Sequence, residues 1–118
     1  MIEGYRDLEV YRRSYELTKE ILQLTLAFPK EERYEIVSQM RRASLSIPLN
    51  IAEGYGKKES AAEFKRFLLI AIGSANEMQV LLDISHDLGY VSAETHQKLL
   101  SEYDVLGKRL HTLVKNWE

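Results

Sequence analysis

Apolar residues recur along this chain at separations of three and four, the spacing by which an α-helix keeps one face toward a core. Four stretches carry the pattern. From about Arg6 to Ala27 it runs twice, once through Leu8, Tyr11, Tyr15, Thr18 and Leu22 and again through Val10, Leu17, Ile21, Leu24 and Phe28. A helix that only lines a bundle core needs one stripe, so the second predicts a wide apolar face, part of which meets another subunit. Phe28-Pro29 stops this helix, and Glu31 and Glu32 suit the positive end of the next. The second pattern, Val37, Met40, Ser44, Ile47, Ile51 and Gly54 or Tyr55, has Pro48 in its middle. Proline removes a backbone donor and crowds the carbonyl of Ser44. Because the register continues beyond it, the prediction is a kinked helix rather than a broken one.

Gly54-Tyr55-Gly56 is expected to close this helix, a glycine taking the left-handed conformation there. Ser60 and Glu63 then form an S-x-x-E capping box for a third helix. Its pattern runs through Phe64, Phe67 or Leu68, Ala71, Ala75, Met78, Leu82 and Ser85 to about Leu88. Gly73, Ser74 and Ala75 predict close approach of a neighbouring helix at its middle. Gly89 caps its end, and Ser92 is the N-cap of a fourth helix with Glu94 in its first turn. Leu99, Tyr103, Leu106, Leu110, Leu113 and Trp117 give that helix the most regular heptad of the chain. No strand signal competes, and short connections make each helix run back against its predecessor. The predicted fold is all-α: one domain over residues 1–118, an antiparallel up-down-up-down four-helix bundle with a Pro-kinked second helix.

The run RRASLSIPLNIAEGYGKK, from Arg41 to Lys58, is the most distinctive stretch. Together with YRDLEVYRRSYELTKEI and FPKEERYEIVSQM before it and EFKRFLLIAIGSANEMQVLL after it, it resembles the four-helix bundle family encoded by intervening sequences within bacterial 23S rRNA genes. The resemblance spans nearly the whole chain. Its S-I-P-x-N-I-A-E-G core is fairly specific, since generic bundle packing does not demand that proline so close to that run. The resemblance implies the same bundle and a ring-like homopentamer. It supplies no function, since the family's biochemical role is poorly defined. More distantly, the chain looks like the accessory protein of diversity-generating retroelements, which acts beside a reverse transcriptase and RNA.

Composition narrows the chemistry. The 118 residues suffice for a core without staples, and no cysteine is present to form disulfides or thiolate metal sites. That fits a reducing cytoplasm. The start, MIEGYRDLEV, lacks both the basic start and the apolar run of a signal peptide, and no stretch is expected to reach the roughly 18 to 20 apolar residues that a membrane span requires. The expectation is a soluble cytoplasmic protein without a membrane partner. The formal charge of −2 does not advertise nucleic acid, so local clustering has to carry any such reading.

Between Arg41 and Arg66 six basic residues (Arg41, Arg42, Lys57, Lys58, Lys65, Arg66) face three acidic ones (Glu53, Glu59, Glu63), a local excess of +3. Such a cluster can neutralise phosphates, and Tyr55 beside it can stack on an unpaired base. RNA or an RNA-processing protein is therefore one candidate partner. The other is the chain itself. Leu45, Leu49 and Ala52 project away from the core face of helix two, and with Leu17, Ile21 and Leu24 of the second stripe they make the candidate subunit interface. A protein-interaction module without nucleic-acid affinity is the alternative reading.

Catalytic and metal constellations are missing. Asp83-x-x-His86 is a single motif where di-metal bundles need pairs, and His96 and His111 stand apart. Gly54-x-Gly56-Lys57 has Ile51 and Lys58 where a phosphate loop needs glycine and Ser or Thr. Glu53 lacks a second carboxylate nearby and is expected to pair with an arginine, Arg42 of a neighbouring subunit being one choice. No catalytic residue, metal or cofactor is predicted.

Overall fold

Four helices account for most of the chain in a computed structural model that describes all residues 1–118. They are α1 (Glu9–Leu24), α2 (Ile36–Tyr55), α3 (Ala61–Asp87) and α4 (Ala93–Asn116), with single 3-10 turns at Tyr5–Asp7, Thr25–Ala27 and Lys30–Glu32 and no strand. Two starts follow the expected chemistry. The hydroxyl of Ser60 accepts from the Glu63 amide at 3.2 Å, and that of Ser92 accepts from the Thr95 amide at 3.1 Å. The Glu63 carboxylate turns outward to Arg66, so only half of the capping box forms. Helix α2 begins at Ile36, later than the acidic pair implied. Glu31 and Glu32 lie in the preceding 3-10 turn, where the Glu32 carboxylate accepts a 2.7 Å bond from the Tyr90 hydroxyl. Phe28 packs on the same Tyr90 ring at 5.4 Å, so this connection is held to the α3–α4 turn rather than to the α2 dipole.

Contacts between consecutive helices pair rising residue numbers with falling ones. Thr18 meets Ser44 and Leu22 meets Arg41; Met40 meets Ser85 and Ser46 meets Ser74. Phe64 meets Trp117 and Asp83 meets His96, while Glu9 meets Arg109 and Glu20 meets Lys98. Each helix therefore lies beside its predecessor in the opposite sense, and α4 returns to α1. The enclosed core holds Leu17 and Ile21 from α1, Met40, Ile47 and Ile51 from α2, Phe64, Leu68, Met78 and Leu82 from α3, and Leu99, Tyr103, Leu106 and Leu110 from α4.

Pro48 sits buried inside an unbroken α2. Lacking an N–H, it leaves the Ser44 carbonyl without the donor an ordinary residue would supply. Thr18 fills the gap, its hydroxyl 2.9 Å from the Ser44 oxygen and 2.8 Å from its own Ser14 carbonyl, one proton shared between two acceptors. The proline thus selects a polar residue for the buried seam between α1 and α2.

The glycines correct two expectations. Gly56 ends α2 with φ −63°, so no left-handed cap forms there, whereas Gly89 after α3 has φ +82°. Gly54 instead allows close packing: a Cβ at this position would lie 2.6 Å from the Cβ of Phe67. At the middle of α3, Ser74 and Ala75 face the core, with Ser74 and Ser46 hydroxyls 2.9 Å apart. Gly73 faces outward, and a Cβ added there would have no neighbour within 4 Å, so it serves no contact inside the subunit.

Candidate interaction surfaces

A groove of about 340 Å³ runs along the outer junction of α1 and α2. Tyr5, Tyr11, Tyr15 and Leu22 form one wall, and Leu45, Pro48, Leu49 and Ala52 the other. Leu49 is 63% exposed and Leu45 and Tyr15 nearly half exposed, an arrangement that a solitary subunit gains nothing from. The three α2 residues named from the sequence thus line one surface. The three α1 residues do not join them. Leu17 and Ile21 are 4% and 0% exposed within the core, and Leu24 is half-buried beside α4 at the opposite junction. At about 100° per residue Leu17 and Ile21 lie roughly 100° to 160° from Tyr15 and Leu22, so the core side of α1 that takes the first pair leaves the second at its edge or outside. The aliphatic stripe goes in, and the tyrosines, whose hydroxyls keep access to water, stay out. That difference in residue type was the available signal for the groove's α1 wall.

The six basic residues divide. One terminal nitrogen of the Arg41 guanidinium donates to the Leu22 carbonyl at 3.3 Å and the Thr25 hydroxyl at 3.1 Å, which closes the end of α1 and sets Arg41 apart from the cluster at the α2–α3 turn. Arg42 is exposed and bonds Gln39 at 2.9 Å, roughly 20 Å along α2 from the helix end. The others gather at the α2–α3 turn. Lys57 Nζ lies 5.6 Å from the centre of the Phe67 ring and the Arg66 guanidinium 4.6 Å from the same ring, while Lys58 Nζ lies 5.0 Å from the Tyr55 ring. Lys65 is half-buried.

The Tyr55 ring under Lys58 packs edge to face with Phe64 and Trp117, whose centroids are 4.7 Å apart. Arg66 also pairs with Glu63 at 3.2 Å. That hydrogen bond and charge hold the Glu63 carboxyl below its usual range and push the Arg66 guanidinium higher still, with a smaller contribution from Glu53. Glu53 itself is exposed and forms no ion pair within the subunit.

A third grouping was not legible in the sequence. His86 and His96 stack with ring centroids 4.4 Å apart and planes 7° from parallel, and His96 Nε2 lies 2.7 Å from an Asp83 oxygen. Imidazole lone pairs lie in the ring planes, so parallel rings do not converge on one ion, and no set of three ligating side chains does so elsewhere.

The bundle has counterparts among known proteins. The family model for 23S rRNA-intervening sequence protein matches residues 6–112. The chain belongs to this family. Among solved structures, a protein of unknown function from the S23 ribosomal protein family of Bacteroides thetaiotaomicron has a TM-score of 0.79 at 24% identity, covering 91% of this chain and 99% of its own. At that identity the likeness speaks for the fold alone. No curated protein matches this intervening-sequence family member. Neither of these two matches shows the more distant likeness to a retroelement accessory protein.

Proposed function

We propose that this family member is a non-enzymatic scaffold that associates with copies of itself and presents the cluster at the α2–α3 turn to RNA. The observation that carries the reading is the groove between α1 and α2, apolar and open to water beside a core that is already complete. Self-association removes what remains exposed of Tyr15, Leu45 and Leu49 from solvent, about half of each side chain, and so gains roughly half of the ~1.5–3 kcal/mol that full burial of such a side chain is worth. A closed ring of copies, as in the pentamer the resemblance implies, would repeat one basic cluster several times. A single cluster is weak because Glu63 neutralises part of it. Repetition turns weak contacts into useful affinity. The reading of RNA as partner rests on Lys57, Lys58 and Arg66 around aromatic rings and on the rRNA context in the family's name.

Mobility shift with structured RNA at several salt concentrations tests the RNA half. Affinity should fall steeply with salt, and reversing the charges of Lys57 and Lys58 together should weaken binding and flatten that dependence while oligomer mass stays the same. Equal RNA binding by the native and reversed proteins would leave the groove, and a protein-interaction role, as the function.

A further inference from the structure

A cavity of about 620 Å³ opens where the connection from α1 meets the first turns of α2, a volume within the range of small-molecule sites. Lys30, Arg33 and Arg41 line it and no carboxylate does, in a chain whose net charge is −2. None of the three cations forms an ion pair within the subunit. Glu31 and Glu35 stay outside the lining, and Glu32 is turned away to the Tyr90 hydroxyl at 2.7 Å. The walls are held in place. Arg41 is half-buried, with one terminal nitrogen bonded to the Leu22 carbonyl and to the hydroxyl of buried Thr25. Its other terminal nitrogen and Nε have no partner, so the guanidinium is fixed at the wall with a fork of donors free, the geometry that takes two oxygens of one phosphate. Buried Phe28 packs on Tyr90 at 5.4 Å and anchors the connection that carries Lys30 and Arg33. Helix α2 starts there without a side-chain cap, its Ile36, Val37 and Ser38 amides donating to no group in the subunit, which adds to the positive potential. On the open side Tyr34 and Leu26 line the same cavity while 83% and 73% exposed.

From this grouping we infer that the cavity binds a small nucleotide, its terminal phosphate among Lys30, Arg33 and Arg41 and its flat base against Tyr34. A phosphate monoester carries a charge of about −1.5 to −2 at neutral pH, which three cations without a carboxylate match better than they match the single charge of an RNA phosphodiester. The cavity is also closed off by the connection, whereas a strand of RNA needs a groove that continues along its backbone. The inference is independent of the RNA reading, because Arg41 lies roughly 20 Å along α2 from the turn that carries Lys57 and Lys58.

Calorimetric titration of the full chain with adenosine 5′-monophosphate, inorganic phosphate and adenosine tests it. The monophosphate should bind once per subunit, and phosphate or adenosine alone at least about tenfold more weakly, each keeping only part of the contacts. Lys30→Ala with Arg33→Ala, both at exposed positions, should lower affinity for the monophosphate at least about tenfold and leave the circular dichroism spectrum unchanged. Arg41→Lys should weaken binding by keeping the charge and losing the fork, and Tyr34→Ala should bring the monophosphate down to the affinity of inorganic phosphate. Charge reversal of Lys57 and Lys58 should leave this binding unchanged, whatever it does to RNA. No binding of the monophosphate at millimolar concentration would overturn the inference, as would binding that survives loss of Lys30 and Arg33. Inorganic phosphate bound as tightly as the monophosphate would overturn the nucleotide class. An RNA oligonucleotide that needs Lys30 and Arg33 while the monophosphate does not bind would overturn the small-molecule assignment.

Discussion

Helices α3 and α4 are built on similar lengths, yet they treat their outer faces differently. On α4 the large apolar residues turn inward as Leu99, Tyr103, Leu106 and Leu110, and the outer face carries Asp104, Lys108, Arg109 and His111. On α3 both faces are apolar, and the outer one leaves Leu69, Ile70, Val80, Ile84 and Leu88 in water. Helix α4 needs only the bundle to satisfy it, while α3 has a second apolar face that the bundle leaves bare. A similar contrast holds on α1, where Leu17 and Ile21 are buried while Tyr15 stays open to water. Apolar surface that the core does not use is therefore the informative part of this molecule.

Truncation should expose that contrast most strongly. Leu106→Ala empties a fully buried site and is expected to lower stability by about 2–5 kcal/mol, whereas Val80→Ala should change subunit stability by less than about 0.5 kcal/mol. Denaturant titration checks both. If the two substitutions cost the same in stability, the outer face of α3 does not lie outside the core as described.

Adding one carbon sharpens the same division. Gly54→Ala forces a Cβ against Phe67 on the inner side of α3 and should destabilise by about 1–3 kcal/mol. Gly73→Ala meets open space on the outer side and should stabilise the isolated subunit by up to about 1 kcal/mol through helix propensity. Opposite signs in thermal unfolding are the expected result.

The inner side of α4 supplies a pH test. The Tyr103 hydroxyl is buried with no hydrogen-bond partner, and burial, with the Glu20 and Glu102 charges behind it, holds this phenol far above its ordinary value of 10. A phenol whose folded value is raised stays protonated in the folded state while the unfolded chain ionises, so stability is full below pH 10 and declines above it. At pH 11, one unit above that unfolded value of 10, the loss attributable to Tyr103 is about 1.4 kcal/mol. Tyr103→Phe should abolish that part of the alkaline decline. An unchanged decline in the variant would remove Tyr103 as its source.

Helix periodicity made the bundle readable from the residues, because spacings of three and four, the Ser60 and Ser92 caps and Gly89 all report local backbone geometry. Which of two apolar stripes faces inward is a tertiary question. Periodicity assigned Leu17 and Ile21 to the surface when they fill the core, and only the difference between aliphatic and tyrosine side chains pointed the other way. The charge cluster was legible at the turn, where Lys57, Lys58 and Arg66 are close in sequence. It did not show that Arg41 lies apart from that turn, bonded to the end of a different helix. The α3 stripe escaped notice because a helix apolar on both faces hides its second period within the first. Pro48 was placed correctly inside its helix, but its partner Thr18 lies 30 residues earlier, beyond any local rule.

The central claim is that the apolar groove left outside the core between α1 and α2 exists to be covered by other copies of the chain. Sedimentation equilibrium of the native protein at micromolar concentrations tests it most directly. The expected result is a mass that is a multiple of 13.7 kDa, near fivefold if the ring implied by the family resemblance closes. A single species at 13.7 kDa across that concentration range would contradict the account.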